Sequence, residues 1–212
     1  MNILLYGFFF YYISATIGLS TGYHRYFSHR SFSASPVAEV IMLFFGLICG
    51  GRSALTWVAV HRMHHAHTDT DSDPHSPKFK GAANVLLSRW RVPYIPKKFI
   101  KDLLKNPRLV FFHRYGRYIH LIYALLLFAI SVDALLIFAV MPFVFSYIGF
   151  GVLNYVAHRK GQATNVPWTN IIAPGEGWHE NHHKHPRNYR LHRLDYVGYI
   201  IEKLFIKSKS SS

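Results

Sequence analysis

Residues 119–157 read IHLIYALLLFAISVDALLIFAVMPFVFSYIGFGVLNYVA, and Asp133 is their only acidic side chain. As one straight helix this run would measure ~58 Å at 1.5 Å per residue, about twice the thickness of a hydrocarbon core. The economical solution is a hairpin of two membrane spans, near 117–132 and 134–157, turning around Ser131–Asp133. Such a hairpin leaves and re-enters on one face.

Working outward, a second uncharged apolar run covers Ile3 to Leu19, and Thr21, Gly22 and Tyr23 can extend it to a crossing of residues 3–22. It has neither the basic flank nor the small-residue cleavage site of a secretory signal, so a span is the better reading. Between the two runs, Val37 to Gly50 is apolar but short and broken by Glu39. That length suits an interfacial helix. Parity argues the same way, because a crossing there would put His24 and His29 on the opposite side from His61, His64 and His65. Residues 66–118 are basic and punctuated by Pro74, Pro77, Pro93, Pro96 and Pro107, which reads as short helices and loops. A helix from about Leu194 to Lys207 and a loose tail at 208–212 complete the chain. The expected fold is one all-α membrane domain, residues 1–212. It has about three spans, and residues 24–116 and 158–207 lie at the interface or on the cytoplasmic side, leaving the N-terminus on the opposite side.

Composition supports this. The formal net charge is +14 in 212 residues, half of which are apolar. A soluble domain with that charge would point to nucleic acid, but no nucleic-acid motif is present. Instead the basic residues alternate with apolar runs, as on the cytoplasmic side of membrane proteins, next to anionic headgroups. Arg62, Arg89, Arg91, Lys97, Lys98 and Lys101 form such a basic surface. A single cysteine, Cys49, excludes an internal disulfide, a zinc ribbon and an iron–sulfur cluster.

Histidine is the unusual component, fifteen residues mostly in tight groups. The groups are His24-Arg-Tyr-Phe-Ser-His29, His61-Arg-Met-His64-His65 and His179-Glu-Asn-His182-His183. Positions i, i+3 and i+4 share a helix face, so each HxxHH group should aim three imidazoles at one point. His24 and His29, five apart, would splay on an ideal helix and approach two different metals. Eight clustered imidazoles would repel one another if protonated, whereas neutral imidazole is the commonest metal ligand. His158 is a ninth candidate, with Asn154 one turn earlier on the same face. Polar groups at a span end are expensive unless they serve a site, which makes Asn154 a candidate holder of metal-bound water. Asp69, Asp71 and Asp73 lack the glycine and glutamate of a calcium loop and suit carboxylates that orient ligand imidazoles, as do Glu176 and Glu180. His67, His75, His113, His120, His185 and His192 have no ligand spacing.

The pattern HxxxxH, HxxHH, HxxHH resembles the membrane fatty-acid desaturases. Asn154…His158, Asp73-Pro74-His75 and Gly175-Glu176-Gly177-Trp178 are similar to the stearoyl-CoA-desaturase-like, delta-9 branch. The resemblance runs from about Thr21 to His185. It implies two non-haem Fe2+ ions held by His24, His29, His61, His64, His65, His158, His179, His182 and His183, divided four and five. Dioxygen would be co-substrate, and insertion of a cis double bond into a saturated acyl chain the reaction. The acyl-CoA branch often carries an Arg-Asp pair before the second box; here those positions are Ala59 and Val60, so an acyl-lipid substrate stays open beside acyl-CoA. Trp57, Phe150, Gly151 and Trp178 are candidate tunnel residues. With no flavin, haem or iron–sulfur motif, a separate ferredoxin or b-type cytochrome is the expected electron donor. A membrane hydroxylase or ketolase with the same metals, and a non-enzymatic metal-binding protein, are the competing readings.

Overall fold

The computed structural model describes residues 2–89 and 92–206. Arg91, counted above with the basic surface, and the tail at 208–212 lie outside these residues. All the regular structure among the described residues is helical. The principal helices are α1 (Ile3–Ser28), α2 (Pro36–Gly51), α3 (Ala54–His67), α4 (Pro107–Ile130), α5 (Val132–His158), α6 (His179–Lys184) and α7 (Tyr196–Phe205).

Local chemistry sets the helix ends. The Asn2 side chain accepts from Leu5 N–H at the start of α1, and Ser35 caps α2, where Pro36 supplies a pre-formed φ in the first turn. Asn106 and Asp195 cap α4 and α7 in the same way. At Ser131 the backbone is extended (φ −170°) and the hydroxyl accepts from Ala134 N–H, so the hairpin turns where the sequence placed it.

Two helices, α1 and α5, are long and apolar enough to cross a membrane, and α2 with α3 qualify as a bent pair at 75°. The expected span at 117–132 falls in the distal half of α4. Arg108, Arg114 and Arg117 occupy the proximal half, and α4 does not reach the same mean hydropathy over 18 residues. Leu5, Phe9 and Ile13 on α1, and Leu121, Leu125 and Phe128 on α4, are exposed, forming a belt that suits lipid rather than water.

The α2–α3 pair refines the interfacial reading of Val37–Gly50. Helix α2 runs along α1 at close range: a Cβ on Gly18 would overlap the backbone at Phe45 and Gly46, and one on Gly22 would meet Met42 Cβ at 2.7 Å. Bare glycine backbone lets the helices touch, as in close-packed membrane helix pairs. The chain then breaks at Gly50, whose φ of +83° suits glycine, and α3 returns its histidines to the end of α1. Both sets of histidines, before and after this pair, therefore lie at the same end of α1.

Aromatic edges fasten α1 to α5: Phe10 meets Phe138 with ring centroids 4.9 Å apart, and Phe8 meets Phe145 at 5.4 Å. At the other end of α1, Arg25 is 1% exposed and donates to the Gly175 carbonyl at 2.8 Å and to Asp195 at 3.2 Å. An unpaired guanidinium buried there would be costly, so this pair ties α1, the 175–178 loop and the start of α7 into one unit. The result brings α1, α3, α5 and α6 together at one end of the bundle.

Candidate metal centre

Five residues separate His24 from His29, and the local winding makes that spacing productive. Residues Ala15–Ser28 are π-helical, and His29 N–H reaches the His24 carbonyl, five residues back, at 3.3 Å. A wider turn places i and i+5 on one side. Their ring centroids lie 5.1 Å apart, and both belong to one group, so the expectation that they serve different metals is corrected.

Two groups of four imidazoles have ligand nitrogens mutually within 4.8 Å: His24, His29, His61 and His182, and His64, His158, His179 and His183. His65 joins the first through His182, with Nε2 atoms 2.7 Å apart, making five and four. Each HxxHH box is divided. His61 serves the first group and His64 the second; His182 serves the first, His179 and His183 the second. The three imidazoles of a box therefore fan across two foci, because successive positions on an α-helix turn by ~100°. No carboxylate belongs to either foursome.

Carboxylates sit behind the rings instead. His24 Nδ1 lies 2.7 Å from Glu176 Oε2, His64 Nδ1 2.9 Å from Asp73 Oδ2, and His158 Nδ1 2.9 Å from Asp69 Oδ2. All three were anticipated from the sequence. Glu176 is fixed by Ser20, whose hydroxyl donates to it at 2.5 Å. Asp73 also accepts from the backbone N–H groups of Asp69 (2.9 Å) and His75 (3.0 Å), which shapes the loop after α3. Of the other acids weighed, Glu180 pairs with Lys184 at the surface and Asp71 with its neighbour Ser72.

Protonation follows from burial and repulsion. Desolvation and neighbouring imidazoles push His29, His179 and His182 far below the usual histidine range and His183 to about 2. Burial would raise Glu176, but His24 and Arg25 beside it outweigh that and hold it below the ordinary carboxylate value. A neutral imidazole that donates Nδ1–H to a carboxylate presents a lone pair at Nε2. His64 and His158 have the geometry for this, Nδ1 against Asp73 and Asp69, with Nε2 atoms facing those of His183 at 3.2 Å and His179 at 2.8 Å. Lone pairs converging at that range in a buried site fit a cation between them. Iron accepts such a nitrogen-rich set.

A cavity of about 190 Å³ reaches both groups, touching His24, His61, His64 and His179. Of the tunnel candidates, Trp57 and Phe150 line it, and Asn154 does so as well. Gly151 and Trp178 do not: Gly151 abuts the Leu86 carbonyl, and Trp178 stacks on His192 with centroids 3.8 Å apart. His75, passed over for lack of ligand spacing, stacks on His64 at 4.2 Å and lines the cavity, forming a third close group with His64 and Asp73. Arg62 is not part of a free basic surface. It donates to the Phe27 and Ser28 carbonyls at 2.8 and 3.1 Å and pairs with Asp102 at 2.7 Å, clamping the first box against α3.

A sequence profile of the fatty acid desaturase family matches residues 2–209. The chain belongs to that family. Membership makes it an oxidoreductase acting on fatty-acyl chains, in keeping with the histidine groups and apolar helices. It is 30% identical over 187 residues to the sn-1 stearoyl-lipid 9-desaturase of Anabaena variabilis, covering 82% of this chain and 68% of the relative. The Delta-9 acyl-lipid desaturase 1 of Arabidopsis thaliana is 29% identical over 216 residues, with 90% and 68% covered. For the Acyl-CoA Delta(11) desaturase of Choristoneura rosaceana the figures are 29% over 210 residues, 87% and 62%.

Proposed function

We propose that this chain is a dioxygen-dependent desaturase of acyl chains carried on membrane lipids, with two iron ions held by the nine imidazoles. The observation that carries the reading is the division of those imidazoles into two nitrogen-only groups at the head of an apolar cavity. His24, His29, His61, His65 and His182 would hold one ion; His64, His158, His179 and His183 would hold the other, with Asn154 positioning a water beside the smaller set. Iron held there would supply the oxidising chemistry that removes two hydrogens from an unactivated methylene pair, which no acid–base group can accomplish. The protein's own side chains do the rest. Asp69, Asp73 and Glu176 fix imidazole tautomers, Trp57 and Phe150 confine the acyl chain, and the buried walls exclude water.

Two electrons of the four that take dioxygen to water come from the substrate. A separate small redox protein, a ferredoxin or a b-type cytochrome, would supply the other two. Lipid rather than coenzyme A as carrier is supported by Ala59 and Val60, which leave no charged pair before the second box, and by the acyl-lipid relatives. The basic loops support a site on the cytoplasmic face, by the positive-inside rule. Cysteines introduced at residues 2 and 70 should then label from opposite sides.

Expression in a host lacking the activity, followed by fatty-acid methyl-ester analysis of separated lipid classes, tests the reaction. A new alkene in the glycerolipid fraction supports it. An alcohol instead would give the chain to the hydroxylases, and unaltered lipids in a strain with iron-loaded protein and donor would refute the reading.

A further inference from the structure

A second concavity adjoins the acyl cavity. Gly50, Arg52 and Phe143 line both, so the two meet at the break between α2 and α3. The second measures about 820 Å³ and lies between that break and the proximal half of α4. Its polar wall is Arg52, His113, Arg114, Arg117 and His120, and no acidic residue lines it.

The cationic groups have no acidic partner among the described residues; Arg117 donates to the Tyr118 hydroxyl at 2.8 Å. Among the described residues the side chains of Arg52 and Arg114 have no hydrogen-bond or ion-pair partner; Arg114 lies over the Tyr115 ring and Arg117 over Tyr118. Carboxylates that could neutralise them are engaged elsewhere, Glu39 with Arg108 and Asp102 with Arg62 and Arg30. Arg52 also keeps a left-handed backbone, φ +56° and ψ −146°, where the cavities join. Such a conformation in a non-glycine residue is strained and gathers at functional positions.

Depth identifies the ligand. Along α4, Arg117 and Arg114 lie roughly 21 and 26 Å from the Ser131 turn, against a hydrocarbon core of ~30 Å. The groove is therefore near headgroup level, where arginine can extend its guanidinium toward the interface. Beyond it on the same helix, Leu121, Ile122, Leu125 and Leu126 are exposed to lipid.

We propose that this groove binds the anionic, phosphate-bearing headgroup of a membrane glycerolipid through Arg52, Arg114 and Arg117. The attached acyl chain enters the cavity beneath the histidines at the shared wall, where the Phe143 ring packs on Gly50 and must turn aside to admit it. A ligand already in the bilayer reaches such a groove by lateral diffusion, without leaving the membrane. The proposal rests on the desaturase reading only for what then happens to the chain.

The test uses the full iron-loaded chain in detergent, titrated with dioctanoylphosphatidylglycerol, with uncharged dioctanoylglycerol and with octanoyl-CoA. The phospholipid should bind at least tenfold tighter than the neutral lipid and weaken with added salt. Arg52→Gln, Arg114→Gln and Arg117→Gln should each weaken it about tenfold, the loss expected for one charge-assisted contact. Arg114→Lys should recover most of the affinity, and Arg187→Gln, on an exposed loop away from the groove, should change nothing. Equal binding of charged and neutral lipid, or variants that bind like the wild type, would overturn the proposal. So would losses confined to octanoyl-CoA, which would give the groove to a soluble carrier. Product analysis separates the two readings. Headgroup binding without any alkene defeats the desaturase reading alone, whereas alkene formation undiminished in variants that bind normally defeats the groove.

Discussion

Replacing Asp73 by asparagine should empty one metal position and spare the other. The carboxylate is fully buried and accepts from His64 Nδ1 and from the backbone N–H groups of Asp69 and His75, at 2.9–3.0 Å. An amide keeps the shape but converts one acceptor into a donor. If its NH2 faces His64, the ring must take the other tautomer, and Nε2 loses the lone pair it would offer a metal. In either orientation the NH2 also confronts a backbone N–H, that of His75 at the Oδ1 position or of Asp69 at Oδ2, at a cost of about 1–3 kcal/mol. The same loop carries Asp69, which orients His158, so two of the four imidazoles in the smaller group are disturbed. Loss of one such orienting partner costs about 10- to 100-fold in metal affinity. Iron per chain, measured by mass spectrometry after dialysis against graded chelator, should fall from two toward one at chelator levels that leave the wild type intact. Equal loss of both ions, or retention of both at every level, would refute the reasoning.

Gly18→Ala drives a methyl into the α2 backbone at Gly46, and overpacking of about 1–3 kcal/mol should lower the melting temperature in detergent; an unchanged melt would contradict the close approach. Thr56→Trp should fill most of the cavity of about 190 Å³ and cut turnover more than tenfold while both irons stay bound; full activity would remove the cavity from the substrate path. Asp102 has a pH signature: burial would raise it, but Arg62 and Arg30 hold its carboxyl at about 2. A depressed carboxylate stabilises the fold above its ordinary value of ~3.9 and stops doing so as pH falls toward 2, with about 1 kcal/mol at stake after solvent screening. Asp102→Asn should therefore melt lower by a constant amount from pH 5 to 8, and the gap should close below pH 4; a gap that widens in acid would reverse the sign.

Much of this candidate centre is legible in the sequence because its imidazoles arrive in local motifs. Box spacing announces the histidines, and Asp69, Asp73 and Glu176 stand beside the boxes they support. The hairpin is equally plain, since an apolar run twice the membrane thickness must turn, and Ser131 caps the second helix. Geometry that depends on non-ideal winding is not legible. An α-helix splays His24 from His29, and only the π-turns of α1 unite them. Three-point convergence of each HxxHH box fails for a related reason, because two adjacent foci can share one helix face. Long-range pairs leave no pattern at all. Arg25 and Asp195 are 170 residues apart, and the one hint is a charged residue inside an otherwise apolar helix. Gly151 and Trp178 sit beside cavity-lining residues in sequence yet pack on Leu86 and His192, since neighbours along a helix or loop point to different sides.

The central claim, two irons held by imidazole alone, is tested most directly by iron-edge X-ray absorption on the purified protein, with iron counted on the same sample. Two irons per chain are predicted, with a nitrogen-dominated shell and a separation greater than ~4 Å, because no carboxylate among the described residues joins both groups and unbridged divalent cations repel. One iron per chain, or a carboxylate-bridged pair at ~3.5–4 Å, would contradict it.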